Sequence, residues 1–311
     1  MTNGIWYNVN VIISALNQLG IEYQLNVDSG AISTLRCGGR VKVVAKPKSS
    51  FELIKLLDTL NRYNEPYYPI GACSNTLIVD AGYNGVLIDL SLINYVSPKY
   101  STIDVGCGAR IPTLALKTNK LHLSGLEPLC TIPGSVGGAI LKNAGCFGEE
   151  IANLITSVTY LDIKTLTEHT TNCKEIPFGY RSSGRFFDDK IVLSVTFKLT
   201  PTNKDCLETM TSYRNKRLQS QPTTPSLGSV FKRTADGISA GYYIDKAALK
   251  GATIGGATVS EKHANFIVNT GDATSTDYLE LATLCKNKVK EEFNITLNRE
   301  IDIIGEHNLD K

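Results

Sequence analysis

Apolar residues at Ile12, Ala15, Leu16 and Leu19 recur at helical spacing and stop at Gly20, which predicts an amphipathic helix over Met1–Gly20. Val41–Ala45 reads as a strand ended by Pro47. Ser49, followed three positions later by Glu52, has the spacing of a capping box for a helix with Leu53, Leu56, Leu57 and Leu60 on one face. A Pro- and Tyr-rich strand, Pro66–Ile70, empties into Gly71-Ala72-Cys73-Ser74-Asn75, and apolar strands follow at Thr76–Val79 and Val86–Leu90. That alternation predicts an α/β segment over residues 1–95. Residues 96–204 carry more strand, close on the alternating strand Val195–Leu199 and end in the linker Pro201–Lys204. The last segment, 205–311, opens with a polar helix at about Cys206–Leu218. A Pro/Ser/Gly loop (Gln221–Ser229) follows, then a helical stripe of Tyr278, Leu281, Ala282, Cys285, Val289 and Phe293, and a final strand, Thr296–Ile304.

Composition narrows the function. The 311 residues are 42% hydrophobic and 20% charged, and 32 basic against 30 acidic residues leave a net charge of +2. That balance asks for neither nucleic acid nor an anionic membrane, so a small-molecule substrate is expected, with no obligate protein partner. No run approaches the length of a membrane-spanning helix, and no basic residue precedes the first apolar stretch as a secretory signal would require. The eight cysteines are scattered without Cys-x-x-Cys spacing, which predicts reduced thiols, no metal site and a cytoplasmic protein.

Two stretches could hold an anion. The loop Gly71–Asn75 offers consecutive backbone N–H groups with short side-chain donors, although a plain turn fits it equally well. It is neither a Walker loop nor a dinucleotide glycine motif. Six glycines fall between Gly125 and Gly148, where the chain average of 26 in 311 puts about two. Within that window Val136–Leu141 could start a helix with Gly134 and Ser135 at its N-terminus, or the glycines could serve close helix–sheet packing.

Taken together, Gly71-x-x-Ser74-Asn75, Gly125-Leu126-Glu127, Ile132-Pro133-Gly134-x-x-Gly137-Gly138-Ala139 and Asn143-Ala144-Gly145 resemble the flavin-binding half of the UDP-N-acetylenolpyruvoylglucosamine reductase family. Phe178-Gly179-Tyr180-Arg181-Ser182-Ser183 is similar to its arginine motif, and Pro225-Ser226-x-Gly228-Ser229-Val230-Phe231-Lys232 to its serine motif. Gly255–Asn269 and Leu297-Asn298-Arg299-Glu300 resemble its C-terminal motifs, in order and in register from about Thr34 to Glu306.

The resemblance implies an α+β fold: a two-part FAD-binding domain of the vanillyl-alcohol-oxidase (PCMH) type over 1–95 and 96–204, and a smaller C-terminal α/β substrate domain over 205–311. It implies FAD and NADPH, with hydride passing from NADPH to FAD N5 and on to the enolpyruvyl group of a UDP-amino sugar, giving UDP-N-acetylmuramate for peptidoglycan synthesis. The compact length is similar to the family's second type. Cofactor contacts would come from Gly71, Ala72, Cys73, Ser74, Asn75, Thr76, Pro133, Gly134, Ser135, Gly137, Gly138, Asn143, Gly145 and Gly148. Arg181, Ser229 and Glu300 would be catalytic, and Tyr180, Arg217, Lys232 and His263 would meet the nucleotide-sugar.

The residue types suit that chemistry. Hydride addition to the enolpyruvyl double bond places charge into the neighbouring carboxylate, which the forked Arg181 guanidinium could bind. Glu300 could share a proton there, or sit as an exposed carboxylate in a salt bridge. Ser229 lies in no nucleophile-elbow context, so a hydrolase triad lacks support, whereas a carbanionic intermediate is basic enough to take a serine proton. His263 by itself reads more readily as structural. An oxygen-using flavin oxidase and a silent nucleotide-sugar binder stay open as alternatives. The chain departs from the family at Cys73, where glycine is usual, and at Cys146-Phe147, where a small residue and tyrosine are common. A cysteine held at positive φ would be strained by about 1 kcal/mol or more.

Overall fold

The N-terminal helix spans Asn3–Leu19 in the computed structural model, which describes residues 3–100 and 102–305. Met1 and Thr2, within the predicted helix, and Glu306, at the end of the motif span, lie outside the described residues. Ile12 and Leu16 are fully buried. Gly20, at φ 67°, closes the helix: its N–H bonds Asn17 O at 3.2 Å while Ile21 N–H bonds Leu16 O at 3.0 Å. The helix Ser50–Arg62 buries Leu53, Leu56, Leu57 and Leu60 as its spacing predicts. Its capping box is displaced by one residue: Ser49 accepts from Glu52 N–H, but the Glu52 carboxylate accepts from Lys48 N–H rather than from Ser49.

Packing groups the chain into two units. One holds residues up to Leu25 with Val43–Ala72 and Gly85–Asn215; the other holds Asn26–Lys42, Cys73–Asn84 and the residues from Lys216 on. Two short stretches of the expected 1–95 segment thus join the C-terminal residues, and the chain passes between the units inside the helix Leu207–Ser220, beyond the 204/205 boundary.

In the first unit, Glu22–Asp28, Arg40–Lys46, Tyr83–Asp89 and Tyr67–Ile70 form a four-stranded sheet in that order, Tyr67–Ile70 running parallel to its neighbour. Three of these strands continue into residues of the second unit. A five-stranded antiparallel sheet orders Thr167–Asn172, Ile155–Asp162, Lys190–Lys198, Thr102–Gly106 and Val96–Lys99. The strand expected at Val195–Leu199 is the second half of Lys190–Lys198. Helices Ile111–Lys120 and Val136–Leu141 bury Leu114, Val136 and Ile140 in one apolar core with both sheets.

The second unit has its own core, built on Leu77, Phe231, Ile267, Tyr278 and Leu281. Its antiparallel sheet runs Ser226–Ser229, Phe266–Asn269, Ala257–Val259, Thr253–Ile254. Ser226–Ser229 falls inside the predicted loop, and Pro225 and Gly228 are what hid it: the ladder slips between Ser226 and Ser229, and Gly228 sits at φ 79° in the bulge. The predicted strand Thr296–Ile304 is shorter. Arg299 makes an isolated bridge to Phe231, and only Asp302–Ile304 forms a strand, parallel to Thr76–Ile78. Long-range polar bonds stitch the early stretches into this unit. Asn269 Nδ2 donates to Leu35 O at 3.1 Å, Thr34 Oγ1 to Ser226 O at 2.7 Å, and Asp80 caps the helix Ser275–Phe293 through the N–H groups of Ser275 and Thr276.

Candidate functional site

The glycine window builds a tight corner in the first unit. Ser135 caps the short helix Val136–Leu141, its hydroxyl accepting from Gly138 N–H at 3.5 Å. Ser135 also pairs with Arg110 across an antiparallel bridge in which Ile111 N bonds Gly134 O and Val136 N bonds Ala109 O. In such a narrow pair the N–H of Ser135 itself points away from the partner strand. Gly71 approaches so closely that a Cβ there would lie 2.3 Å from Ser135 Oγ. Gly137 is constrained less tightly, its N–H bonding Cys107 O at 2.8 Å and its Cβ position 3.0 Å from Cys107 Cβ. This is a cradle that side chains would fill, with an outward N–H, and it fits a cofactor's phosphates against main chain. Arg110, whose guanidinium donates to Pro133 O at 2.8 Å, adds a fixed cation beside the same turn.

Asn143, Gly145, Tyr180 and Arg181 come together in the same unit. Asn143, fully buried, donates to Gly179 O at 3.0 Å and to Glu150 Oε2 at 2.8 Å. Arg181 donates to Gly145 O at 2.9 Å, and its guanidinium lies 5.2 Å from the Tyr180 ring centre. Asn143, Phe147, Gly148 and Arg181 all take left-handed backbone angles, which glycine and asparagine tolerate and which strain Phe147 and Arg181. Phe147 stacks on Tyr213 at 4.6 Å, so the ring standing where tyrosine is common has a packing partner.

Cys73, Ser74, Asn75 and Thr76 belong to the second unit. Cys73 is buried at φ 45°, the left-handed geometry that the usual glycine would take without cost. Asn75 is locked to the C-terminal motif: its Nδ2 donates to Glu300 O at 3.1 Å, and its own carbonyl accepts from Asp302 N–H at 2.9 Å. Glu300 N–H donates to Val230 O at 2.8 Å, one residue past Ser229, and Lys232 N–H donates to Asn298 O at 2.9 Å. Asn75, Ser229, Lys232 and Glu300 therefore sit on adjoining main-chain segments. Both Ser229 and Glu300 are partly buried.

His263 is committed locally. Its Nδ1 accepts from Asn265 N–H at 3.2 Å, its ring packs 4.7 Å from Phe266, and burial, aided by Lys250, holds it below its ordinary pKa. Arg217 lies in the last turn of Leu207–Ser220, where its carbonyl accepts from Gln221 N–H. Glu127, in the Gly-Leu-Glu motif, is buried and closes its own turn by accepting from Gly125 N–H at 2.7 Å.

Sequence reasoning placed Asn265 within the motif Gly255–Asn269 but gave it no role, and it passed over Asp80. Burial pulls the Asp80 carboxyl upward, but its bonds to Ser275 and Thr276 outweigh that and leave it below the usual carboxylate range. An acidic residue 195 positions from the helix it caps leaves no local signal. Among the described residues no group of His, Cys, Asp or Glu gathers as metal ligands, and no helix is long and apolar enough to cross a membrane.

Comparison with known proteins gives matches at both ends of the chain. The profile described as UDP-N-acetylenolpyruvoylglucosamine reductase, C-terminal domain, matches residues 220–304, and that of an FAD binding domain matches residues 41–172. The UDP-N-acetylenolpyruvoylglucosamine reductase of Streptococcus pneumoniae (strain JJA) is 39% identical over 289 residues, covering 92% of this chain and 95% of that one. The enzyme of the same name from strain ATCC BAA-255 / R6 is 38% identical over 289 residues, covering 92% and 91%. Among solved structures, UDP-N-acetylenolpyruvylglucosamine reductase from Thermus caldophilus superposes with a TM-score of 0.76 at 32% identity, covering 92% of this chain and 99% of that one.

Proposed function

The chain belongs to the UDP-N-acetylenolpyruvoylglucosamine reductase family of oxidoreductases, with an FAD-binding domain followed by that family's C-terminal domain, and from this premise we propose that it reduces the enolpyruvyl ether of UDP-N-acetylglucosamine to UDP-N-acetylmuramate. The reaction is a cytoplasmic step of peptidoglycan precursor synthesis. FAD, when bound, would accept hydride from NADPH and supply it to the enolpyruvyl carbon. The glycine corner around Gly71, Gly134, Ser135 and Gly137 would hold it.

The protein's own groups handle the charge and the proton. Arg181, fixed by its bond to Gly145 O, binds the substrate carboxylate and stabilises the negative charge that hydride addition places there. Glu300 presents a carboxyl able to share a proton with the substrate. Ser229 Oγ gives its proton to the carbon next to that carboxylate, and solvent restores it afterwards. Tyr180, Arg217, Lys232 and His263 bind the nucleotide-sugar, Arg217 at the pyrophosphate.

The observation that carries this reading is the Glu300 N–H to Val230 O bond at 2.8 Å, with Asn75 Nδ2 on Glu300 O at 3.1 Å. It supports a proton donor, a carboxyl and a cofactor loop acting together. Anaerobic stopped-flow measurement of the two half-reactions tests it. Ser229→Ala should leave reduction of the flavin by NADPH nearly intact and slow its reoxidation by the enolpyruvyl substrate by about 10²-fold or more. Equal slowing of both half-reactions would refute proton donation by Ser229.

A further inference from the structure

The ladder between Ser226–Ser229 and Phe266–Asn269 ends at the pair Ser229–Phe266. Beyond it the second strand is lost, because residues 260–266 close into a turn through Ser260 N–H to Phe266 O at 2.8 Å and Phe266 N–H to His263 O at 2.9 Å. The chain bends at Val230 just after Ser229, and the residues there are held on both edges. On one edge Phe231 bridges Arg299, flanked by the bonds Glu300 N–H to Val230 O and Lys232 N–H to Asn298 O. In that narrow pair the N–H and C=O of Phe231 itself face the opposite edge.

There the side chain of Asn265 takes both: Phe231 N–H donates to Oδ1 at 3.0 Å, and Nδ2 donates to Phe231 O at 2.8 Å. The Asn265 carbonyl also accepts from Val230 N–H at 2.9 Å. The carboxamide stands in for the missing strand. It is only 4% exposed, so water cannot replace it. Asparagine alone among the short side chains offers one acceptor and one donor in that arrangement: aspartate lacks the donor, and glutamine is a methylene longer.

We propose that Asn265 is a positioning residue, the clamp that sets the Ser229 hydroxyl in register with the Glu300 carboxyl through Val230 and Phe231. The inference rests on the proposed proton-donor role of Ser229 and adds the element that aims it. Loss of the clamp leaves Ser229 in place chemically but lets its segment shift against Glu300. Misplacement by about 1 Å is enough to cost a rate on the order of 10²-fold.

The test compares Asn265→Ala, Asn265→Asp and Ser229→Ala by anaerobic stopped flow, with FAD affinity measured separately by fluorescence titration. Asn265→Ala should keep FAD affinity and the rate of flavin reduction by NADPH within about twofold, and slow reoxidation by the enolpyruvyl substrate by about tenfold to a hundredfold. The solvent deuterium isotope effect on that second step should increase as proton delivery becomes limiting. Asn265→Asp, which keeps the acceptor and the shape but loses the donor to Phe231 O, should slow the same step, and it decides the matter by the same measurements should Asn265→Ala not fold. Wild-type reoxidation rates in the Asn265 variants, or equal loss in both half-reactions, would overturn the positioning role. A normal reoxidation rate in Ser229→Ala would instead overturn the proton-donor reading, whatever the Asn265 variants do.

Discussion

Gly71 and Ser135 offer a quantitative check on the corner assigned to the cofactor. A Cβ at Gly71 would lie 2.3 Å from Ser135 Oγ and 3.5 Å from Ser135 Cβ, so the conflict is with the hydroxyl alone. Gly71 does not use a left-handed φ. Alanine there should therefore gain about 0.4–1 kcal/mol from the stiffer unfolded chain. In Gly71→Ala the serine hydroxyl must rotate away from Gly138 N–H, giving up its helix cap, which costs about 1 kcal/mol. Ser135→Ala loses the same cap by itself, and once it is gone the alanine at position 71 meets only ordinary contact. The double variant should thus be more stable than the sum of the single effects by about 1 kcal/mol, well above the roughly 0.3–0.5 kcal/mol scatter of independent sites. Urea denaturation of the FAD-free protein reads the stability cycle, and fluorescence titration reads FAD affinity in the same four proteins. Strict additivity in the stability cycle would refute the close approach of the two turns. Unchanged FAD affinity in both single variants would refute the corner as a cofactor cradle.

Other outcomes follow from the second unit. Asp80→Asn should destabilise by about 1 kcal/mol at neutral pH by removing a charged cap from Ser275–Phe293; because the Asp80 pKa is depressed, its stabilisation is present above the ordinary carboxylate pKa and lost as the pH falls, so thermal melts of wild type and variant should converge in acid. Cys73→Gly relieves a left-handed residue and should keep or tighten FAD binding in a fluorescence titration; marked loosening would show that the thiol is a favourable contact. His263 has a lowered pKa, so the neutral ring stabilises the fold above its ordinary value of 6.5 and that contribution fades as the pH falls below it. Melting temperatures of wild type and His263→Asn should approach each other between about pH 7 and 5, and parallel profiles would refute the partly buried neutral ring.

Features with a local period could be read from the chain. The stripes Leu53–Leu60 and Tyr278–Val289 are buried as spaced, and Gly20 ends its helix, because repeats of three and four residues and a left-handed glycine are sequence-local. The motif residues were legible too, but their neighbours were not. Asn26–Lys42 and Cys73–Asn84 join the second unit through bonds such as Asn269 to Leu35 and Thr34 to Ser226, which span 234 and 192 positions. The strand Ser226–Ser229 was hidden by the glycine that sits in its bulge. A bulge at Gly228 re-aims the residue after it, and that residue is the serine. Asn265 illustrates the general reason. A side-chain amide completing a ladder for a distant main chain has no periodicity and no charge, so the Gly255–Asn269 motif that contains Asn265 gives no sign that its carboxamide holds Phe231 on the edge opposite Arg299. Buried asparagines that pair with main chain, such as Asn143, Asn265 and Asn269, thus tie together segments far apart in the chain. Their substitution should move rates and stability in proportions that depend on which segment each one holds.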